Sequence, residues 1–260
     1  MSHNLLQSLF LALTTFIGGV INSVAGGGGI LVFPSLLGIG LRPVQANATG
    51  TVALWPGQFT SIAGYREHLR KNLRVVLPAI IVAAIGGLAG SWTLLHNSQS
   101  SFLRIVPFLF LLASTTFALR GPISRMIKAR ASAHQHSTER IFLLPLLALL
   151  LCITYYIGYF GAGAGLLTIT ALSLCGVEHI VEINALKTVI TTVANFVAVI
   201  MFVAHRAVDW RFGWFMMITC AIGGYTGARN SRRINDRVLR AVIITLGFSV
   251  AIWFFFRNHA

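Results

Sequence analysis

The chain has 260 residues, of which 56% are hydrophobic and only 10% charged, and its mean hydropathy is +0.79. A soluble domain carries about a quarter charged residues, so this composition excludes a water-soluble globular fold. The net charge of +14 lies largely in three short basic segments between apolar runs, at 66–74, 120–140 and 229–240. That arrangement is typical of cytoplasmic loops and excludes a nucleic-acid-binding face.

Ten apolar segments follow one another along the chain. Eight of them are about 20 residues long, which is enough for a helix to cross about 30 Å of hydrocarbon. These eight are 5–25, 46–64, 75–95, 102–119, 141–160, 183–204, 212–228 and 238–256. Two shorter runs, 30–41 and 166–177, do not reach that length alone. The pattern predicts an all-α polytopic membrane protein surrounded by membrane lipid.

The two halves of the chain repeat each other. "AIGGLAG" at 84–90 returns as "AIGGYTG" at 221–227, an offset of 137, and Asn47 and Thr51 match Asn184 and Thr188 at the same offset. At an offset of 136, "GGGILVF" at 27–33 aligns with "GAGLLTI" at 163–169. We therefore predict a first transmembrane repeat at 1–120, a basic cytoplasmic linker at 121–140 and a second transmembrane repeat at 141–260.

The distribution of charge predicts that the two repeats have opposite orientations. In the first repeat 66–74 is strongly basic and 96–101 is nearly uncharged, whereas their equivalents at 205–211 and 229–240 reverse that order. Lys and Arg are enriched in cytoplasmic loops, so the reversal indicates that the repeats are inverted. Inverted repeats of about five segments each are a design of many secondary transporters.

A glycine cluster interrupts an apolar run at the corresponding place in each repeat. Glycine destabilises a helix by about 1 kcal/mol relative to alanine, so these clusters predict broken helices. Broken backbone at membrane depth is tolerated where it is buried or faces a water-filled cavity, and the start of the next short helix offers an anion site. The alternative is that the small residues only allow close helix packing. The predicted site glycines are Gly26, Gly27, Gly28, Gly29, Gly161, Gly163 and Gly165.

Polar side chains gather near the starts of the third long segment of each repeat. Lys187 is the cation well inside a second-repeat span, and such residues are functional by default in membrane proteins, although a lysine near a helix start can also reach the interface. Amides and hydroxyls at spacings of three or four share a helix face and bind oxyanions as neutral donors, or form interhelical hydrogen bonds. Gln58 and Asn195 are expected to be polar contacts between helices. The predicted binding side chains are Asn22, Asn47, Thr49, Thr51, Asn184, Lys187, Thr188 and Thr191.

These motifs resemble the TauE/SafE family of sulfite exporters, also described as sulfonate-uptake permeases. The resemblance is carried by "GGVINSVAGGGGILVFPSLLGIGLRPVQANATGTVAL" at 18–54 and "IGYFGAGAGLLTITALSLCGVEHIVEINALKTVITTVANF" at 157–196. It implies a multi-pass carrier of the bacterial inner membrane whose substrate is a small anion such as sulfite, sulfoacetate or a related organosulfonate. Alternating access of the two repeats would move this substrate.

Other functions remain open or are excluded by the motifs. An anion channel and a non-transporting membrane scaffold are the alternatives to a carrier. The chain contains neither HExxH nor GxxxxGK[ST], so we predict no enzyme activity. Its three cysteines are far apart, and neither a metal nor another cofactor is expected. The coupling ion (H⁺ or Na⁺) and a homo-oligomer are left open.

Overall fold

A computed structural model describes residues 2–62, 73–119, 121–122, 125, 142–177, 179–229 and 236–259. Five helices in the first half are α1 (Ser2–Ala25), α2 (Gly29–Gly38), α3 (Pro43–Ile62), α4 (Leu73–His96) and α5 (Gln99–Ala118). Five in the second half are α6 (Leu143–Tyr159), α7 (Ala164–Leu174), α8 (Ile180–Ala204), α9 (Trp210–Arg229) and α10 (Asp236–His259). No strand occurs in these ranges, which confirms the all-α prediction. Residues 66–72, most of 120–140 and 230–235, which carry much of the charge that predicts orientation, lie outside the described residues.

Several of the helices are built to contact lipid. Four are long and apolar enough to cross a membrane, over Leu5–Ser23, Leu73–His96, Gln99–Ala118 and Val181–Ala204. The other predicted long spans fall on helices that are shorter in their apolar part or richer in polar residues, such as the 17-residue α6. Large apolar side chains point outward, and that of Leu144 is 81% exposed. A surface of this kind is stable in hydrocarbon and not in water, so the fold is that of a multi-pass membrane protein.

Each glycine cluster lies where the chain reverses direction. α1 ends before Gly26, whose φ of +77° favours glycine and whose N–H donates to the carbonyl of Asn22 at 3.0 Å. α2 then folds back along α1, since a Cβ at Gly18 would lie 2.7 Å from Val32 and one at Gly28 would lie 3.0 Å from the Asn22 Cβ. The first glycine cluster is therefore the tip of a helical hairpin.

The second half contains the matching hairpin. Gly161 has a φ of +76° and its N–H donates to the carbonyl of Tyr156 at 3.0 Å. At the far end of the hairpin, the N–H of Phe142 before α6 donates to the carbonyl of Cys175 after α7, also at 3.0 Å. α6 and α7 thus lie side by side and antiparallel, with their glycine tip at the other end.

Helices of one half pack mainly against helices of the other half, and the pairings are reciprocal. α1 packs on α9 and α4 packs on α6, while α3 packs on α9 and α8 packs on α4. The backbones approach closely at glycines: a Cβ at Gly223 would lie 3.0 Å from the Phe16 Cα, and one at Gly90 would lie 2.8 Å from the Tyr159 nitrogen. The two third helices, α3 and α8, cross each other, and so do the two fifth helices, α5 and α10.

The directions of these helices are fixed by pairs of contacts. α3 and α9 run parallel, because Thr49 lies near Gly213 and Gly57 lies near Gly224. α5 and α10 run antiparallel: the rings of Phe110 and Phe254 stack with centroids 6.4 Å apart, while a Cβ at Gly247 would lie 3.2 Å from that of Ser114. The turn between α4 and α5 lies beside the turn between α8 and α9, where the rings of His96 and His205 are 6.5 Å apart.

Candidate functional site

The tips of the two hairpins face each other inside the protein. A Cβ at Gly26 would lie 3.8 Å from the Cα of Gly165, and one at Gly29 would lie 3.7 Å from the Cβ of Ala162. The paired glycine clusters thus bring the start of α2 and the start of α7 to one place. The sequence predicted these positions as corresponding members of two repeats, and the structure brings them into contact.

Two adjoining cavities flank this meeting point. Both are lined by Asn22, Gly26, Gln58, Gly161 and Asn195. The first-half cavity, which α3 lines, has a volume of about 40 Å³, and the second-half cavity, which α8 lines, has about 130 Å³. A water needs about 10–15 Å³ on this measure, so the second-half cavity has room for a small hydrated solute.

The second-half cavity is positively charged. Lys187 of α8 lines it together with Ala164 and Gly165, the first residues of α7. The Lys187 side chain passes close to the hairpin tip, because its Cδ would lie 3.8 Å from a Cβ at Gly165. The N-terminal end of α7 adds partial positive charge. The N–H groups of Ala164 and Leu166 donate to the carbonyls of Gly161 and Gly163, at 3.3 and 3.2 Å. None of the described lining residues is Asp or Glu, so the cavity suits an anion.

Hydroxyl groups of α8 face the same cavity. Thr188 donates to the Asn184 carbonyl at 2.7 Å and Thr191 donates to the Lys187 carbonyl at 2.9 Å. Thr192, which the sequence did not single out, also lines the second-half cavity. The carbonyl of Thr192 accepts a hydrogen bond from the indole of Trp55 at 3.3 Å, which ties this turn of α8 to α3.

The first-half cavity is the less polar equivalent. Asn47 lines it, and its side-chain amide donates to the Tyr159 carbonyl at 3.1 Å, which joins the two halves. Thr51 lines it as well and donates to the Asn47 carbonyl at 2.9 Å. Gly50, Leu54 and Trp55 stand where the second half has Lys187, Thr191 and Thr192, so this cavity lacks a cation and two hydroxyls.

A hydrogen bond between the third helices separates the two cavities. The side-chain amide of Asn195 donates to the Gln58 side-chain oxygen at 3.1 Å, and both side chains line both cavities. The two residues are repeat equivalents at the offset of 137. We predicted interhelical contacts for them; they also form part of the cavity walls. Their correspondence at the repeat offset, each as a polar side chain within a third helix, was a signal in the sequence for this position.

Ten of the fifteen predicted site residues line a cavity, and five do not. The backbone of Gly28 packs on α1, a Cβ at Gly27 would lie 2.6 Å from the Phe117 ring, and one at Gly163 would lie 3.2 Å from Ala113. Thr49 and Asn184 lie outside the cavity walls as well. Those lining a cavity are Asn22, Gly26, Gly29, Asn47, Thr51, Gly161, Gly165, Lys187, Thr188 and Thr191.

Thr49 instead helps to fix the start of α9. Its hydroxyl accepts a hydrogen bond from the Asp209 N–H at 2.9 Å, and the Asp209 carboxylate accepts from the Arg211 N–H at 3.0 Å as a helix N-cap. Hydrogen bonds from the Arg211 side chain hold the pKa of the Asp209 carboxyl below its usual range, although burial opposes this shift. For Thr49, interhelical hydrogen bonding is therefore the role that the structure shows.

The structure offers little for a metal ion. Within the described ranges, no group of three or more His, Cys, Asp or Glu side chains could hold one. The polar groups of the described cavity walls are amides, hydroxyls, backbone groups and one ammonium group. These groups bind anions and neutral polar solutes rather than divalent cations.

The fold and the cavities define a helical multi-pass membrane protein with a cationic polar chamber between its two halves. The family model for "Sulfite exporter TauE/SafE" matches residues 11–254, so the chain belongs to this family. A "Probable membrane transporter protein ORF9" of Sinorhizobium sp is 25% identical over 252 residues, with 97% of this chain and 93% of the relative covered. The "Probable membrane transporter protein YfcA" of Escherichia coli K12 is 22% identical, with 96% and 90% covered. No solved structure matches the chain.

Proposed function

We propose that this protein is a secondary transporter of the bacterial inner membrane that carries a small sulfur-containing anion, such as sulfite, sulfoacetate or a related organosulfonate. The observation that carries the proposal is the second-half cavity, where Lys187 and the start of α7 meet at the centre of the fold. The family description supports a sulfur oxyanion as the substrate. The helical spans favour the inner membrane, because outer-membrane proteins are typically β-barrels.

The anion would be bound by several neutral hydrogen-bond donors and by one positively charged group. The ammonium group of Lys187 would pair with the sulfonate or sulfite oxygens, and the N–H of Gly165 at the start of α7 would donate to them. The N–H groups of Ala164 and Leu166 on either side are already bonded to backbone carbonyls. Asn22 and Gln58 offer further amide groups on the opposite wall. This combination neutralises a single negative charge without a second buried cation, which keeps the energy of the empty cavity moderate.

We infer further that the two halves are inverted repeats. Two observations support inversion: the repeat-equivalent helices α5 and α10 run antiparallel, and the α8–α9 turn lies beside the α4–α5 turn. If the two repeats had the same orientation, the α8–α9 turn would lie at the other end of α4, where the chain enters α4 from α3. The inversion agrees with the reversal of basic charge along the sequence, which assigns the α3–α4 connection to the cytoplasm.

Labelling of single cysteines tests the inversion. Arg74 and Arg211 are repeat equivalents and both are exposed, so Arg74→Cys and Arg211→Cys report on matching positions. In a background where the exposed Cys152 is serine, a membrane-impermeant maleimide added to intact cells is expected to label the variant at position 211 and not the one at 74. Labelling of both variants from the outside, or of neither until the cells are lysed, would contradict the inversion.

The packing suggests which parts move during alternating access. α9 packs closely on α1 and α3, and α4 packs closely on α6 and α8, so each bundle takes helices from both halves. Backbones in glycine-mediated contact form rigid interfaces. We therefore propose that the substrate is exposed in turn to each side by rocking of one bundle against the other, with the α3–α8 crossing as the contact that changes.

Exchange of substrate across a reconstituted membrane tests this function. Proteoliposomes preloaded with unlabelled sulfite are expected to take up ³⁵S-sulfite faster than empty ones. The reason is that a carrier with substrate bound reorients its site across the membrane faster than a carrier with an empty site. Repeating the uptake with an imposed pH or Na⁺ gradient identifies the coupling ion. Uptake that does not saturate and is not accelerated by internal sulfite would indicate a channel, and no uptake of any sulfur anion would favour the scaffold.

A further inference from the structure

The hydroxyl groups around the second-half cavity differ in where their single proton is directed. Thr188 and Thr191 each donate to a backbone carbonyl one turn earlier on α8, and Ser23 donates to the Val20 carbonyl at 2.9 Å. A hydroxyl has one proton to donate. These three groups can therefore accept a hydrogen bond from a ligand, but they can donate to an anion only if an existing bond breaks.

Thr192 is the exception in this wall. Its side chain is only 3% exposed, it lines the second-half cavity, and its Oγ1 has no hydrogen-bond partner among the described residues. A buried hydroxyl without a partner costs about 1–3 kcal/mol, and such groups are rare in native structures. A ligand that supplies an acceptor would remove this cost.

The position of Thr192 relative to the charged part of the cavity is fixed. Its own carbonyl is held by the Trp55 indole, and Asn195, one turn later, is held by Gln58. Neither bond involves the Thr192 hydroxyl, which is buried beside the cavity without a partner among the described residues. Lys187 lies on the same helix and lines the same cavity. The two side chains are thus presented by one rigid element.

The first half has no counterpart of this arrangement. At the repeat offset of 137, Trp55 stands in place of Thr192 and Gly50 in place of Lys187. Trp55 does not line the first-half cavity, and Gly50 contributes only backbone there. Among the described lining residues, the ammonium group and the hydroxyl without a partner therefore both lie on the second-half side of the pseudo-symmetric chamber.

We propose that the Thr192 hydroxyl donates a hydrogen bond directly to an oxygen of the bound oxyanion, and that the protein binds one anion, in the second-half cavity beside Lys187. This inference rests on the proposed function. Thr192 is then a substrate-binding residue, whereas Thr188 and Thr191 shape the cavity and keep their backbone hydrogen bonds. One anion bound per chain follows because, among the described lining residues, the cation lines the second-half cavity alone.

Two substitutions separate a binding role from a structural one. Thr192→Val keeps the shape and removes the hydroxyl, so the sulfite Kd of the purified protein is expected to rise about ten- to a hundredfold. Thr192→Ser keeps the hydroxyl and is expected to stay within about threefold of the wild type. The thermal midpoint of unliganded Thr192→Val is expected to equal or exceed that of the wild type, because an unsatisfied buried hydroxyl is removed. Thr93→Val is the control, because Thr93 is a half-buried threonine of α4 that lines neither cavity and whose hydroxyl donates to the Ala89 carbonyl.

The outcomes distinguish this inference from the proposed function. If the wild type binds sulfite and Thr192→Val binds it equally well, or if Thr192→Val only lowers the midpoint of the unliganded protein, the role of Thr192 is refuted and the carrier function stands. If the wild type binds neither sulfite nor sulfoacetate, the proposed function fails and the inference fails with it. Isothermal titration that gives two anions per chain would contradict the one-sided site.

Discussion

Replacing Lys187 by methionine is expected to weaken sulfite binding by a factor of about 30 to several thousand. The ammonium group is the one full positive charge among the described residues of the second-half cavity. Loss of one partner from a desolvated charge pair costs about 2–5 kcal/mol, and every 1.4 kcal/mol is a tenfold change in Kd. Methionine keeps a similar length and an apolar stem, so the cavity keeps its walls while its charge is lost.

Stabilisation by ligand is the measurement for this variant. A ligand that binds the native state raises the thermal midpoint by mass action, so a shift seen with the wild type is expected to vanish in Lys187→Met. Arg104→Met is the matched control, because Arg104 is an exposed cation of α5 that does not line either cavity. An undiminished shift in Lys187→Met would show that the anion binds elsewhere.

Substituting alanine for Gly28 is expected to destabilise the protein by about 1–3 kcal/mol or more, as overpacking does. A Cβ at Gly28 would collide with the Gly18 carbonyl group, lying 3.0 Å from its carbon, and with the Asn22 Cβ at the same distance. The nearest obstacle is backbone, which cannot rotate away. α2 would have to separate from α1, and the hairpin tip would move away from its partner tip.

Gly38→Ala in the same helix provides the control. Gly38 is the last residue of α2, and a Cβ there would meet nothing within 4 Å. Its thermal midpoint is expected to be unchanged or slightly raised, since alanine favours helix over glycine. The comparison uses the midpoint and the yield of monodisperse protein in detergent. Equal midpoints for Gly28→Ala and Gly38→Ala would contradict the close packing of α2 on α1 at Gly28.

The sequence predicted the parts of the site that depend on position along a helix. Two glycine clusters at one repeat offset predicted the two chain interruptions, and a lysine within an apolar segment predicted a charged group at depth. Helical periodicity also predicted that Asn184, Thr188 and Thr191 share a helix face. These inferences need only the local chain and the bilayer as solvent.

The parts that could not be predicted depend on what lies across an interface. Nothing in the repeat shows that Gly27 and Gly28 face a phenylalanine ring and a neighbouring backbone, whereas Gly26 and Gly29 face a cavity. For Thr49 the spacing left ligand binding and interhelical hydrogen bonding both open, and its partner Asp209 is 160 residues away. The direction of each hydroxyl proton likewise depends on three-dimensional neighbours, which is why Thr192 was missed.

The packing of helices across the repeat boundary is the largest difference from the expected arrangement. Two halves that rock as separate bodies were expected from the repeat, yet α9 packs on α1 and α4 packs on α6. Glycines shared by both repeats, such as Gly87 and Gly224, lie at these crossed interfaces. A repeated motif indicates that two segments are equivalent, but it does not indicate which segments touch.

Anion binding by the wild-type protein is the first measurement to make, because the proposed transport function requires an anion site. Purified, detergent-solubilised protein would be heated in the presence of sulfite, thiosulfate, sulfate, sulfoacetate or taurine, and the midpoint compared with that in chloride at equal ionic strength. At least one sulfur oxyanion is expected to raise the midpoint in a saturable manner, and Lys187→Met is expected to abolish the rise. No rise with any of these anions, under conditions where the protein remains folded, would contradict it.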